Sequence, residues 1–166
     1  MTARGVAAAG LALILAASVA CEQEPRPVEP PMITYGQAVC DRCGMIISEE
    51  RHAAGLMIED EEGRAYRVFD DVAAVVLFSR EHPDVRVLGR WVKDYATRGW
   101  LNADSAAYVT GEEVQTPMAF GIVATAPSRA DSLAGALGGS VLTWSELRAM
   151  ADTGGIESSP GRRGGP

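Results

Sequence analysis

Two successive stretches of this 166-residue chain carry the same order of local signals, and a repeat of that kind limits the fold more than composition does. In the first, residues 52–60 and 64–69 are strand-like runs flanking Glu61-Glu62-Gly63, a hairpin signature with glycine at the turn. Asp70 or Asp71 then caps an amphipathic helix in which Val72, Val75, Val76 and Phe78 reach a core, and Pro83 stops it. A strand at 85–88 follows. The second stretch predicts strands at 106–109 and 118–124, a helix at 128–137 ending on Gly138-Gly139, and a strand at 140–143. Residues 144–148 read as a short closing helix. The expected class is α+β, with tandem duplicated ββαβ units and small mixed sheets.

The ends of the chain read differently. Arg4 is the sole charge in the first twenty residues, and an apolar run ends in Ser18-Val19-Ala20-Cys21. A run this short before a cysteine predicts a lipoprotein-type signal peptide at 1–20 and lipidation of Cys21. A spanning helix needs about 20 apolar residues with distinct flanks. Ser18 stands where such signals usually carry Leu, which leaves ordinary signal cleavage and a plain N-terminal anchor as alternatives. A diacylated Cys21 would hold the chain at a membrane surface. Residues 21–36, rich in proline and charge, would then be a stiff tether. The first ββαβ unit is then expected at 37–90 and the second at 91–150. Residues 151–166, dominated by Gly, Ser, Pro and Arg, are expected to be a disordered tail. The formal charge is −7 without a basic stripe, which argues against a nucleic-acid partner.

Chemistry concentrates at Cys40-Asp41-Arg42-Cys43-Gly44-Met45, two thiols and a thioether within six residues. Soft sulfur at that density suits Cu(I). Other readings compete. Exported cysteines meet an oxidising compartment, so Cys40 and Cys43 could close a local disulfide. A redox pair needs a helix start to lower a thiol pKa, whereas Gly44 and Met45-Ile46-Ile47 favour extended chain. A structural zinc needs four ligands, and one Cys pair with isolated histidines falls short. Met57, in mid-strand, reads as a gap-filler. His52 at a strand start reads as solvated, and His82 as a helix C-terminal residue. Met118 follows Gln115-Thr116-Pro117, where proline fixes the chain before it and presents the thioether, although core packing suits it as well. No Ser/His/Asp array or phosphate-cradling glycine loop appears, so an enzyme is not expected.

The succession Cys43-Gly44-Met45-Ile46-Ile47, Arg51-His52-Ala53-Ala54, Phe69-Asp70-Asp71, Trp100-Leu101-Asn102-Ala103, Ala107-Tyr108-Val109 and Thr116-Pro117-Met118 resembles the NosL family, lipoprotein accessory factors of nitrous oxide reductase maturation. The resemblance runs from about residue 39 to 147. It implies a membrane-anchored, extracytoplasmic chaperone that binds Cu(I) and passes it towards a copper enzyme, with nitrous oxide reductase as recipient and an ABC transporter of the same system as a further partner. A terminal oxidase as recipient, or a thiol-disulfide role for Cys40 and Cys43, is the alternative. The family's duplicated ββαβ fold is similar to the repeat read here. Its Cys-x-Met ligands fall on Cys43 and Met45, and its Thr-Pro-Met methionine on Met118. Cys40 occurs in only part of the family and stands with His52 as a further candidate ligand.

Overall fold

The computed structural model describes residues 27–156 apart from Glu112. The leader, Cys21 and the last ten residues of the expected tail lie outside the described residues. Among the described residues, no helix is long and apolar enough to cross a membrane.

The first half contains β1 (Ala54–Asp60), β2 (Gly63–Phe69), α1 (Val72–Glu81) and β3 (Arg86–Lys93). Asp60 pairs with Gly63, so Glu61 and Glu62 form a two-residue hairpin loop. The Asp60 carboxylate accepts the Glu62 amide at 3.0 Å and holds that loop. Leu56 and Met57, neighbours that face opposite sides of the sheet, are both fully buried, which marks β1 as a central strand. The second half repeats the order with β5 (Ala107–Thr110), β6 (Ile122–Thr125), α2 (Ala130–Leu137) and β7 (Ser140–Leu142), and α3 (Trp144–Asp152) closes the chain. Between the halves, β4 (Trp100–Asn102) adds an edge strand that the sequence did not announce, pairing with Trp91–Lys93.

The α+β class and the duplicated ββαβ order stand, but the sheets are antiparallel rather than mixed. Strand order is β2-β1-β3-β4 in one and β6-β5-β7 in the other. In each unit the helix carries the chain over the first strand, so the third strand runs in the direction of the second. Because the first strand lies between them, every neighbouring pair is antiparallel. The parallel pairing that does occur is an isolated bridge, Asp94 with Ala124.

Helix α1 is the core of the molecule. All seven residues from Val72 to Phe78 are buried, a wider face than the amphipathic pattern required. Such a helix is covered all round: α1 packs on β1 and β2 from its own half and on β6 and α3 from the other. A continuous cluster runs from Phe69, Val75 and Phe78 to Tyr108, Trp144 and Leu147, so the two units share one core.

The expected tail begins too early. Helix α3 runs through Asp152, and both Ala151 and Ile156 are buried. The helix ends in a Schellman arrangement: Gly154 takes φ +78, its amide donates to Ala151 O at 3.2 Å, and the Gly155 amide donates to Met150 O at 2.7 Å. That reversal returns Ile156 to the core, which a composition argument does not foresee.

Candidate metal centre

The segment from Cys40 to Met45 is a tight reversal. Val39 and Ile46 bridge antiparallel, the Cys40 amide donates to Met45 O at 2.8 Å, and the Gly44 amide donates to Cys40 O at 2.9 Å. Gly44 takes φ +74, a left-handed conformation that a residue with a Cβ adopts at a cost. The two spacer residues anchor this loop. The Asp41 amide donates to Val68 O at 2.8 Å and its carboxylate accepts the Val68 amide at 2.6 Å, which ties the loop to the end of β2. Arg42 forks onto Glu81 of α1, with Nη2–Oε1 at 2.8 Å and Nε–Oε2 at 3.3 Å.

Fixed in this way, the loop delivers both thiols to the β2–α1 junction. Cys40 Sγ, Cys43 Sγ and an Asp70 carboxyl oxygen lie within 4.8 Å of one another. The Cys43 thiol donates to Asp70 Oδ2 at 3.5 Å. Cys40 and Asp70 are buried, Cys43 is partly exposed, and both cysteines are free. Burial pushes the Cys40 thiol up to about 12; the Asp70 side chain adds to this, while backbone hydrogen bonds from Asp70, Cys43 and Arg42 oppose it. Asp70 Oδ1 is buried without a hydrogen-bond partner. Sequence reasoning assigned Asp70 to capping alone. The missed signal is the doubled acid: one aspartate caps a helix, and Asp71 does so by accepting the Ala73 amide at 3.0 Å. Asp70 is thereby free to face the thiols.

Asp71 also reaches the second half. Its Oδ2 accepts the Met118 amide at 3.3 Å and the Thr116 side chain bonds to it as well. Burial pushes its carboxyl up to about 6 against those hydrogen bonds and that of Ala73, and neighbouring Asp70 raises it further. Met118 is not on a strand, as expected for 118–124; β6 starts at Ile122. Thr116-Pro117-Met118-Ala119 is a β-turn closed by Ala119 N to Thr116 O at 2.9 Å, with proline at its favoured second position. The Thr116 hydroxyl accepts the amides of Phe120 and Gly121 at 3.1 and 3.3 Å, and Ala119 is held at φ +57. Methionine therefore sits at a braced turn whose backbone is tied beside Asp70.

Met45 lies on the cysteine hairpin and is 44% exposed, a position accessible to a partner rather than one that fills a core. His52 lies outside the Cys40–Cys43–Asp70 group. It is buried, not solvated: its ring stands 5.7 Å from that of Tyr95 and its Nε2 lies 3.5 Å from Glu49. Burial lowers its pKa, Glu49 opposes that and Arg51 adds to it. His82 caps the C-terminus of α1 and Met57 fills the core, as read from the sequence.

The NosL family profile matches residues 31–151. The crystal structure of the copper chaperone NosL from Shewanella denitrificans is similar to this chain with a TM-score of 0.62 and 20% sequence identity, over 73% of this chain and 96% of that one. At that identity the likeness concerns the fold. No curated protein matches the sequence.

Proposed function

The chain belongs to the NosL family, and from that premise we propose that it is an extracytoplasmic, membrane-anchored Cu(I) carrier rather than an enzyme. Its cargo is passed to a copper enzyme during assembly, with nitrous oxide reductase as the recipient and the ABC transporter of that system as a further partner. Cys21 supplies the lipid anchor. The observation that carries the reading is the Asp70-Asp71 junction. Asp70 meets the thiols of the first half, while Asp71 holds the Met118 turn of the second. The thiols of the first half and the backbone of the Met118 turn are thus tied to adjacent residues of the chain.

The ligands in this reading are Cys43, Met45 and Met118. One thiolate, two thioethers and Cu(I) form an uncharged unit, the form that a partly buried site accommodates at least cost. Adding a Cys40 thiolate would bury a net negative charge. Cys40 is accordingly a reserve donor within 4.8 Å. Asp70 is a hard oxygen donor that suits Cu(I) poorly, and its role is to orient Cys43 through the hydrogen bond. Because Cu(I) tolerates low coordination, the exposed Met45 side leaves an approach for a recipient's ligand. Transfer then proceeds by ligand exchange without free copper.

The closeness of two free thiols favours a second reading, a thiol-disulfide role. Anaerobic titration of the reduced protein with Cu(I) against a chromogenic chelator separates them. The carrier reading expects one tightly held Cu(I) and loss of affinity when Met45 or Met118 is replaced. The redox reading expects both methionines to be dispensable. Equal or better retention of Zn(II) or Cu(II) in competition sinks the carrier assignment.

A further inference from the structure

The opposite end of α1 carries a second feature that copper handling does not use. Asp70 and Asp71 precede the helix, whereas Arg80 and His82 lie at its far end, about 15 Å away for ten residues at 1.5 Å each. There a recess of about 340 Å³ opens between α1, β3 and α3, lined in part by Arg80, His82, Arg90, Trp144, Arg148 and Asp152. Its size falls within the usual range for small-molecule sites. Its charge runs against the rest of the chain: three arginines face one acid in a protein of formal charge −7.

The arginines are not all neutralised. Arg80 donates to Ala151 O and pairs with Glu81 at 3.9 Å, so it forms a wall of the recess and not a free charge. Arg90 reaches Asp104 through Nη1 at 3.4 Å, but its Nε is buried with no partner. That nitrogen is closed to a ligand, but the Arg90 side chain is part-exposed and its long contact to the exposed Asp104 leaves outer guanidinium N–H groups able to take another acceptor. Arg148 is exposed and makes no hydrogen bond or ion pair among the described residues. The Arg90 guanidinium lies over the Trp144 ring at 5.9 Å, which gives the recess an apolar floor beside its donors.

We propose that this recess binds a small oxyanion, a phosphate or carboxylate group held by Arg148 and Arg90 against Trp144. Guanidinium forks match the planar or tetrahedral oxygens of such groups better than they match halides. The occupant spans both halves, since α1 and β3 belong to the first and α3 to the second. The site is independent of copper.

The test is an NMR titration of the isotopically labelled full chain with inorganic phosphate, and separately with succinate, against sodium chloride at matched ionic strength. Saturable shifts of the Trp144 indole and of α3 and β3 amides with either oxyanion support the site, and the two arms distinguish phosphate from carboxylate. Arg148→Gln should weaken binding about tenfold or more, the loss of one charge-assisted contact, and it disturbs no buried group. Arg90→Gln should weaken it similarly. Shifts that are linear and match chloride, that map elsewhere, or that persist unchanged in Arg148→Gln overturn the proposal.

Discussion

The Met118 amide donates to the Asp71 carboxylate at 3.3 Å, across a separation of 47 residues and between the two halves of the fold. The same carboxylate caps α1 through the Ala73 amide, so one buried side chain fixes the start of the central helix and the position of the Thr116-Pro117-Met118 turn. Both contacts require an acceptor oxygen. An aspartate has two, and an asparagine has one.

Asp71→Asn therefore keeps an N-cap but presents an amide hydrogen to one of its two N–H partners. We expect a modest loss of stability together with weaker Cu(I) binding as the Met118 turn detaches. Asp71→Ala removes the cap as well, at a further cost of about 1 kcal/mol. Thermal melting and chelator competition on both variants check this. Wild-type copper affinity in Asp71→Asn would disconnect the turn from the site.

Cys43→Ser should abolish tight Cu(I) binding, while Cys40→Ser should weaken it or change only its sensitivity to oxidation. The asymmetry rests on exposure: Cys43 is partly exposed and pairs with Asp70, whereas Cys40 is buried. If competition titrations find Cys40→Ser the more damaging, the ligand set is wrong.

Met118→Leu nearly conserves volume and should cost less than about 1.5 kcal/mol of stability, while copper affinity falls. Met118 is only partly buried, which reduces the packing loss further. X-ray absorption of the loaded protein should register fewer sulfur neighbours in the variant. An unchanged copper shell would return Met118 to a packing role.

Asp94 predicts the acid limb of stability. It is fully buried, and although burial pushes its pKa up, hydrogen bonds from Thr97, Arg129 and Ala126 outweigh that and hold it well below the usual carboxylate range. A carboxylate with a depressed folded-state pKa contributes stability above its unfolded value of about 3.9 and loses it as pH falls further. Asp94→Asn should be destabilised by about 1–2 kcal/mol near neutrality, through weaker hydrogen bonds from the Thr97 and Ala126 amides and loss of the pair with the part-exposed Arg129. Its gap from wild type should narrow below about pH 4, as followed by urea unfolding across pH. A gap independent of pH would assign the effect to packing alone.

The repeat was legible because its signals are local. Glu61-Glu62-Gly63 turns the chain, Asp71 starts a helix that ends before Pro83, and period-two and helical patterns alternate twice. The crowding of sulfur in the first half was legible for the same reason, since Cys40, Cys43 and Met45 fall within six residues, whereas Met118, expected at a strand start, lies on a turn. These features depend on backbone preference and ligand softness, which residue types carry with them.

Tertiary structure decided what depends on partners distant in the chain. Every strand pair became antiparallel because the first strand of each unit lies between the other two, a matter of helix crossover rather than strand composition. His52 was withdrawn from solvent by its packing against Tyr95, and Ile156 was returned to the core by a glycine reversal. The division of labour between Asp70 and Asp71 was likewise invisible in sequence, since two adjacent acids are equivalent until one cap amide and one pair of thiols take opposite sides. Sequence determined which groups could bind a soft metal. Only the folded packing of α1 between the halves tied the Met118 turn to Asp71 beside the thiols, because a contact across 47 residues is fixed by the shared core and not by local propensity.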